Sequence, residues 1–337
     1  MKEKIACLYT GGTIGMKNSS QGLIPSDDFQ ETLAEILPAK YELIWRQTEL
    51  IDSSAISLQD WQNWLLILQE LNTLKIKTLI IFHGTDTLAY TANLFSLMNN
   101  NFSFNLIFTA AQRSIFYPNS DALLNIKTAF LAAENSLFDN QSVISFGGKI
   151  HSAIGASKYS TLSDSGIFCP FIPSFARYIK SEKALKVSNY FLNNKNKFNF
   201  NLKNNLTINP EVKIAVFNLI PGFQLDFIAD AILNNNFDGI ILQSFGNGNM
   251  KNHRKLFTAI KNKTENNIPV INISQCPQGE VNNNYAQSAF LQNSGIISGR
   301  RVNLELATSL LTLTASNNWT FEEIREFINK FNNLTQI

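Results

Sequence analysis

At 337 residues, 45% of them apolar and 16% charged, the chain has the composition of a globular protein long enough for two domains. A formal net charge of only +2 points to neither a nucleic-acid nor an anionic-membrane partner. Cys7, Cys169 and Cys276 show no CxxC spacing and His83, His151 and His253 no HExxH pattern; this argues against a disulfide framework, a structural zinc and a catalytic metal, and no cofactor is implied.

Taken from the N-terminus, the opening MKEKIACLYTGGTIG passes from charge into an apolar run too short for a secretory signal. No later stretch approaches the ~20 apolar residues of a membrane helix, so the expected address is the cytoplasm. Short, largely β-branched apolar runs at residues 4–9, 78–82, 105–108, 142–146, 213–219, 239–242 and 269–273 read as strands buried on both faces. Helical patterns separate them. Ser57 and Asp60 form an N-cap signature ahead of Trp61, Leu65, Leu68 and Leu71 at helical spacing. Residues 89–98, 121–133, 225–233 and 253–261 are further helices, and 320–331 opens with a second capping box, Thr320 to Glu323. Strands alternating with helices predict an α/β protein with mostly parallel sheets. The Asn- and Lys-rich stretch 183–210 interrupts the alternation. Residues 1–182 are therefore expected to form an N-terminal α/β catalytic domain, 183–210 a linker and 211–337 a C-terminal α/β domain.

In open α/β sheets, ligands bind beyond the carboxyl ends of the strands, and the polar constellations of this chain fall there. Thr10-Gly11-Gly12-Thr13-Ile14-Gly15 follows the first strand; its glycines allow a sharp turn and close approach to a ligand, with the Thr13 hydroxyl beside exposed N–H groups. A glycine turn opening a helix and a phosphate-binding loop are the competing readings, although GGTIG matches neither standard phosphate-loop pattern. His83-Gly84-Thr85-Asp86-Thr87 sets a hydroxyl beside a carboxylate at the end of the 78–82 strand, where Asp86 alternatively caps the next helix. Asp52-Ser53-Ser54 is a polar loop. Lys158, in Gly155-Ala156-Ser157-Lys158, is by default a solvated surface lysine.

As a set, TGGT, HGTDT, DSS and the lysine resemble the bacterial-type L-asparaginases, and TGGTIGM at residues 10–16 resembles their cytoplasmic type I branch. The resemblance runs over nearly the whole chain, through Thr109-Ala110-Ala111-Gln112, Asn119-Ser120-Asp121, the Ser244 to Asn249 stretch and Asn303-Leu304-Glu305. It implies two three-layer α/β domains and hydrolysis of L-asparagine to L-aspartate and ammonia. It also implies Thr13 as nucleophile of an acyl-enzyme and Thr85, Asp86 and Lys158 as a second triad. Backbone N–H groups near Thr13 and Thr85 would hold the oxyanion. Gly84 and the loop Asp52, Ser53 and Ser54 would bind substrate, the α-carboxylate chiefly through Ser53, while Asp86 pairs with the α-ammonium. Asn249 and Glu305 match positions that reach a neighbouring subunit's site, so a homodimer or homotetramer is expected. The plainer reading of Glu305 is an exposed acid on a C-terminal helix.

The chain departs from the family's pattern at four places. Leu23 stands where a loop tyrosine is usual, and Tyr285 is the candidate to replace its hydroxyl. Ala111 and Asn119 replace a serine and an arginine. Gln243 stands where some type I enzymes carry an arginine for an effector asparagine. A neutral amide is a weaker carboxylate partner, so allosteric activation is expected to be weak or absent. A glutaminase–asparaginase of broader specificity and a non-catalytic amino-acid-binding relative are the alternatives to a dedicated asparaginase.

Overall fold

Two α/β units, Met1–Asn205 and Leu206–Ile337, make up the chain. The computed structural model describes every residue except 1, 2, 21, 27, 201, 223, 283–290, 292 and 337. The first unit runs β1 (Glu3–Gly11), β2 (Met16–Ser19), β3 (Gly22–Pro25), α1 (Phe29–Ile36), β4 (Tyr41–Ile51), α2 (Leu58–Thr73), β5 (Thr78–Phe82), α3 (Leu88–Leu97), β6 (Asn105–Thr109) and α4 (Ala122–Ala133). It continues through β7 (Ser142–Phe146), β8 (Lys149–Ser152), β9 (Ser157–Lys158), β10 (Ile167–Phe168), β11 (Ala176–Ile179), β12 (Ala184–Val187) and α5 (Asn189–Asn194). Its main sheet has the order β12-β11-β8-β7-β6-β5-β1-β4. Strands β4, β1, β5, β6 and β7 are mutually parallel, and the β8, β11, β12 end is antiparallel.

Four of the five parallel strands, β1, β5, β6 and β7, form where the apolar runs are. Every residue of β5 and β6 is buried, as strands covered on both faces require. Helix α2 begins where expected because Ser57 and Asp60 make a reciprocal capping box, and Trp61, Leu65, Leu68 and Leu71 form its buried face. Strand β4 was not legible as an apolar run: it is a sheet edge whose residues are mostly half-buried or exposed. The stretch 183–210 carries an edge strand, β12, and helix α5, and the two units divide between residues 205 and 206. Its aromatics explain why residues 183–205 join the first unit. Phe191 is fully buried, with ring centroids 4.2 Å from Phe175 and 5.2 Å from Phe138.

The second unit runs β13 (Ile214–Asn218), α6 (Gln224–Asn234), β14 (Gly239–Ser244), α7 (Arg254–Glu265), β15 (Val270–Ser274), β16 (Ile297–Ser298), α8 (Leu304–Asn317) and α9 (Phe321–Thr335). Its four strands are parallel in the order β13-β14-β15-β16. Helices α6 and α7 pack on one face through Ile228, Ile232, Leu256 and Ile260 against Ile240 and Leu242. Helix α8 covers the other face, where Leu311 crowds Gly239. Helix α9 opens with the expected box between Thr320 and Glu323. Among the described residues no helix is long and apolar enough to cross a membrane.

Candidate active site

The sheet order of the first unit brings three chain segments together at the carboxyl ends of β4, β1 and β5. At the end of β1 the backbone turns through Gly11 and Gly12, both at positive φ. A Cβ on Gly12 would lie 2.3 Å from the N and Cα of Gly84, and one on Gly84 would lie 2.4 Å from Ser53 Oγ. No side chain fits at either position, so the two glycines let the TGGT, HGTD and DSS segments touch. Thr13 and Thr85 are the residues that immediately follow this glycine–glycine contact. Thr13 starts a single 3-10 turn, Thr13–Gly15, and is partly buried.

Lys158 reaches the same place from β9, which pairs with β10. Its Nζ donates to Thr85 Oγ1 at 2.8 Å and to Asp86 Oδ1 at 2.6 Å. The lysine side chain is only 14% exposed, while that of Asp86 is 58% exposed. It is therefore not a solvated surface lysine: a largely desolvated ammonium sits between a buried hydroxyl and a carboxylate that faces solvent. Such a group can pass a proton to or from the hydroxyl it holds. The alternative role for Asp86 as a helix cap does not hold. No side chain caps α3, because the Asp86 carboxylate turns to Lys158 and the Thr87 hydroxyl donates to Ser53 O at 2.7 Å.

The DSS loop is held from within. Asp52 Oδ1 accepts from the backbone N–H of Ser54 at 2.8 Å and from its hydroxyl at 2.7 Å. These bonds hold the Asp52 carboxyl below its usual pKa. Asp52 and Ser54 thus brace each other, and Ser53, buried between them, is the loop residue against Gly84.

His83 is a participant that no local sequence pattern marks. His83, fully buried, donates from Nδ1 to Gly84 O at 2.7 Å. Its Nε2 accepts from the Thr91 hydroxyl at 2.9 Å, which itself accepts from Trp61 Nε1 at 2.9 Å. Burial pushes the imidazole down to about 4, so it is neutral in the fold and fits this bonding scheme. The chain from α2 through α3 fixes the peptide that leads into Thr85. Nothing local announces it, since Trp61 and Thr91 meet only in the folded unit.

The remaining positions are spread elsewhere. Leu23 lies on β3 opposite Asn18, 44% exposed. In the second unit, Asn249 follows β14 in a turn closed by mutual backbone bonds with Phe245; its Oδ1 is buried with no partner among the described residues. Glu305 is in the first turn of α8 and only 9% exposed, which overturns the reading of it as an exposed acid. Tyr285 lies outside the described residues. Among the described residues no cluster of His, Cys, Asp and Glu is arranged to hold a metal.

A parallel α/β sheet that gathers hydroxyls, an ammonium and a carboxylate beyond its carboxyl ends has the layout of an α/β enzyme. The family model for the N-terminal asparaginase domain matches residues 4–188, and that for the glutaminase/asparaginase C-terminal domain matches 213–328. The chain belongs to the asparaginase family. It is 26% identical to L-asparaginase 1 of Escherichia coli K12 over 96% of this chain and 95% of that protein. The crystal structure of L-asparaginase I from Vibrio cholerae is similar with a TM-score of 0.80 and 26% identity, covering 97% of each chain. The thermostable L-asparaginase of Thermococcus kodakarensis gives 0.79 and 25%, covering 96% of each.

Proposed function

We propose that this chain is a cytoplasmic L-asparaginase that hydrolyses L-asparagine to L-aspartate and ammonia, with Thr13 as nucleophile. The observation that carries the reading is the Lys158–Thr85–Asp86 cluster beside the Gly12–Gly84 contact, in a chain of the asparaginase family. The Thr13 hydroxyl attacks the side-chain amide carbon and gives up its proton as the bond forms. Backbone N–H groups next to the two glycines hold the oxyanion, each such donor being worth about 10²–10³ in rate. Collapse of the tetrahedral intermediate breaks the C–N bond, and the nitrogen leaves as ammonia after taking the proton that Thr13 gave up, relayed by the Thr85–Lys158 pair. Water then attacks the acyl-enzyme, the proton it gives up passing along the Thr85 hydroxyl and Lys158 ammonium to the departing Thr13 oxygen, and aspartate leaves with Thr13 and Lys158 restored.

In this reading Ser53 and Gly84 bind the α-carboxylate end of the substrate, braced by Asp52 and Ser54, and Asp86 faces the α-ammonium. Asn249 and Glu305 complete a neighbouring subunit's site in a homodimer or homotetramer, so the separated monomer is inactive. Glutamine differs from asparagine by one methylene, which a pocket discriminates by only ~1–3 kcal/mol, so both amides belong in the assay.

The test is ammonia release from L-asparagine and L-glutamine by purified wild-type protein beside Thr13→Ala. Turnover of asparagine that Thr13→Ala abolishes is the expected result. Release that survives Thr13→Ala removes Thr13 as nucleophile. No release from either amide by folded wild-type protein favours the non-catalytic relative.

A further inference from the structure

We propose that Asn93 is a positioning residue for Lys158, an inference that rests on the reading of Lys158 as a catalytic group. Asn93 sits in the middle of α3 and is fully buried. Its Nδ2 donates to Ala89 O, one turn back on the same helix, at 2.7 Å and to Ala156 O at 3.1 Å. Its Oδ1 accepts from the Gly155 N–H at 2.7 Å. The amide therefore grips the two-residue segment Gly155–Ala156 at its outer N–H and C=O, two residues before Lys158. Gly155 is itself at positive φ, so the chain turns where it is gripped.

The geometry gives this clasp a purpose. Thr85 and Asp86 lie in the turn that leads directly into α3. Lys158 is tied to the same helix through Asn93. Both halves of the Lys158–Thr85–Asp86 contact are thereby referenced to one rigid element, and the reach of a long, flexible side chain is measured from a fixed starting point. Asparagine is a poor helix-interior residue because its side chain competes for backbone groups. At position 93 that local disadvantage is offset by a tertiary bond no apolar residue makes. Local rules broken in this way fall characteristically at functional or strained sites.

The experiment measures kcat and KM for L-asparagine and the thermal midpoint in Asn93→Leu, Lys158→Met and the double variant. Asn105→Ala is the control, a buried asparagine that clasps Thr78 and the Asp139–Asn140 turn at the amino end of β6. Leucine keeps the branched shape at 93, in a larger volume, while removing the bonds, and Asn93→Ala serves the same comparison if leucine does not fit. We expect Asn93→Leu to lower kcat about 10- to 100-fold with little change in KM, the scale of a misplacement of about 1 Å. In the Lys158→Met background the same substitution should change kcat less than about twofold while lowering the midpoint equally, because its effect acts through the missing ammonium. Asn105→Ala should lower the midpoint and leave kcat near wild type. A wild-type kcat in folded Asn93→Leu, or losses that multiply in the double variant, would reduce Asn93 to a structural residue. A wild-type kcat in Lys158→Met would instead overturn the catalytic reading of the lysine and the inference with it.

Discussion

The two units end their parallel strands in similar material but put it to different use. In the second unit, the ends of β14 and β15 are tied by neutral groups. Ser244 Oγ donates to Asn272 Oδ1 at 2.6 Å, Asn272 Nδ2 to Gly248 O at 3.0 Å, and Ser274 Oγ to Gly246 O at 2.6 Å. In the first unit, the corresponding edge has glycines and hydroxyls too, but a desolvated ammonium has been brought in from β9. The first arrangement closes a turn. The second holds a charge next to a hydroxyl, where it can move a proton. The parallel α/β scaffold supplies the gathering place in both units, and Lys158, 73 residues from the threonine it bonds, is what sets the first apart.

The comparison is broken most directly at that lysine. Lys158→Met should lower kcat by about 10²–10⁴, the range of general acid–base groups, with a small change in the thermal midpoint because Asp86 is open to solvent. Ser244→Ala should do the reverse, costing about 1–2 kcal/mol in urea denaturation while kcat stays near wild type. Equal losses of rate from both would erase the distinction.

The glycines sharpen it next. Gly12→Ala forces a Cβ onto the Gly84 backbone at positive φ and should destabilise by about 3 kcal/mol or more, with activity lost. Gly246, also at positive φ but with nothing near its Cβ direction, should tolerate alanine at a cost of about 1 kcal/mol. Denaturant midpoints of the two variants decide this.

Acid stability follows from the buried histidines of the first unit. Burial pushes His83 and His151 each down to about 4; for His151 the nearby Lys149 adds to it. The unfolded chain takes up a proton near pH 6.5 that the fold refuses until about pH 4. The stability tied to each histidine is thus complete above about pH 6.5, declines as pH falls and levels off below about 4, by up to roughly 3 kcal/mol. Thermal midpoints measured across this window should fall with pH, and His151→Leu should flatten part of the slope. An unchanged slope would show that the imidazole titrates alike in both states.

The smallest effect is expected at Leu23. Its exposed place on the β2–β3 hairpin leaves room for a larger side chain. Leu23→Tyr should raise kcat only several-fold, about 1 kcal/mol of barrier. No change would mean that another group already supplies the hydroxyl.

The sequence by itself determined what depends on neighbours along the chain. The fully buried strands β5 and β6, and β7 buried beyond Ser142, were legible because burial on both faces demands continuous apolar runs. The two capping boxes were legible because their bonds span three residues. The motifs TGGT, HGTDT and DSS were legible as a set, since each alone reads as a glycine turn, a helix cap or a polar loop. Only the tertiary structure decided what depends on which strands become neighbours. Strand β4 and the β8, β11, β12 end escaped notice because partly exposed or short antiparallel strands carry no such run. The insertion of β1 between β4 and β5 is what presses Gly12 on Gly84 and Gly84 on Ser53. The desolvation of Lys158, the departure of Asp86 from the helix it precedes, and the neutral His83 all arise from bonds to residues distant in sequence or from burial. Periodicity reports local burial and turn chemistry, whereas these properties are set by long-range packing, which no local pattern encodes.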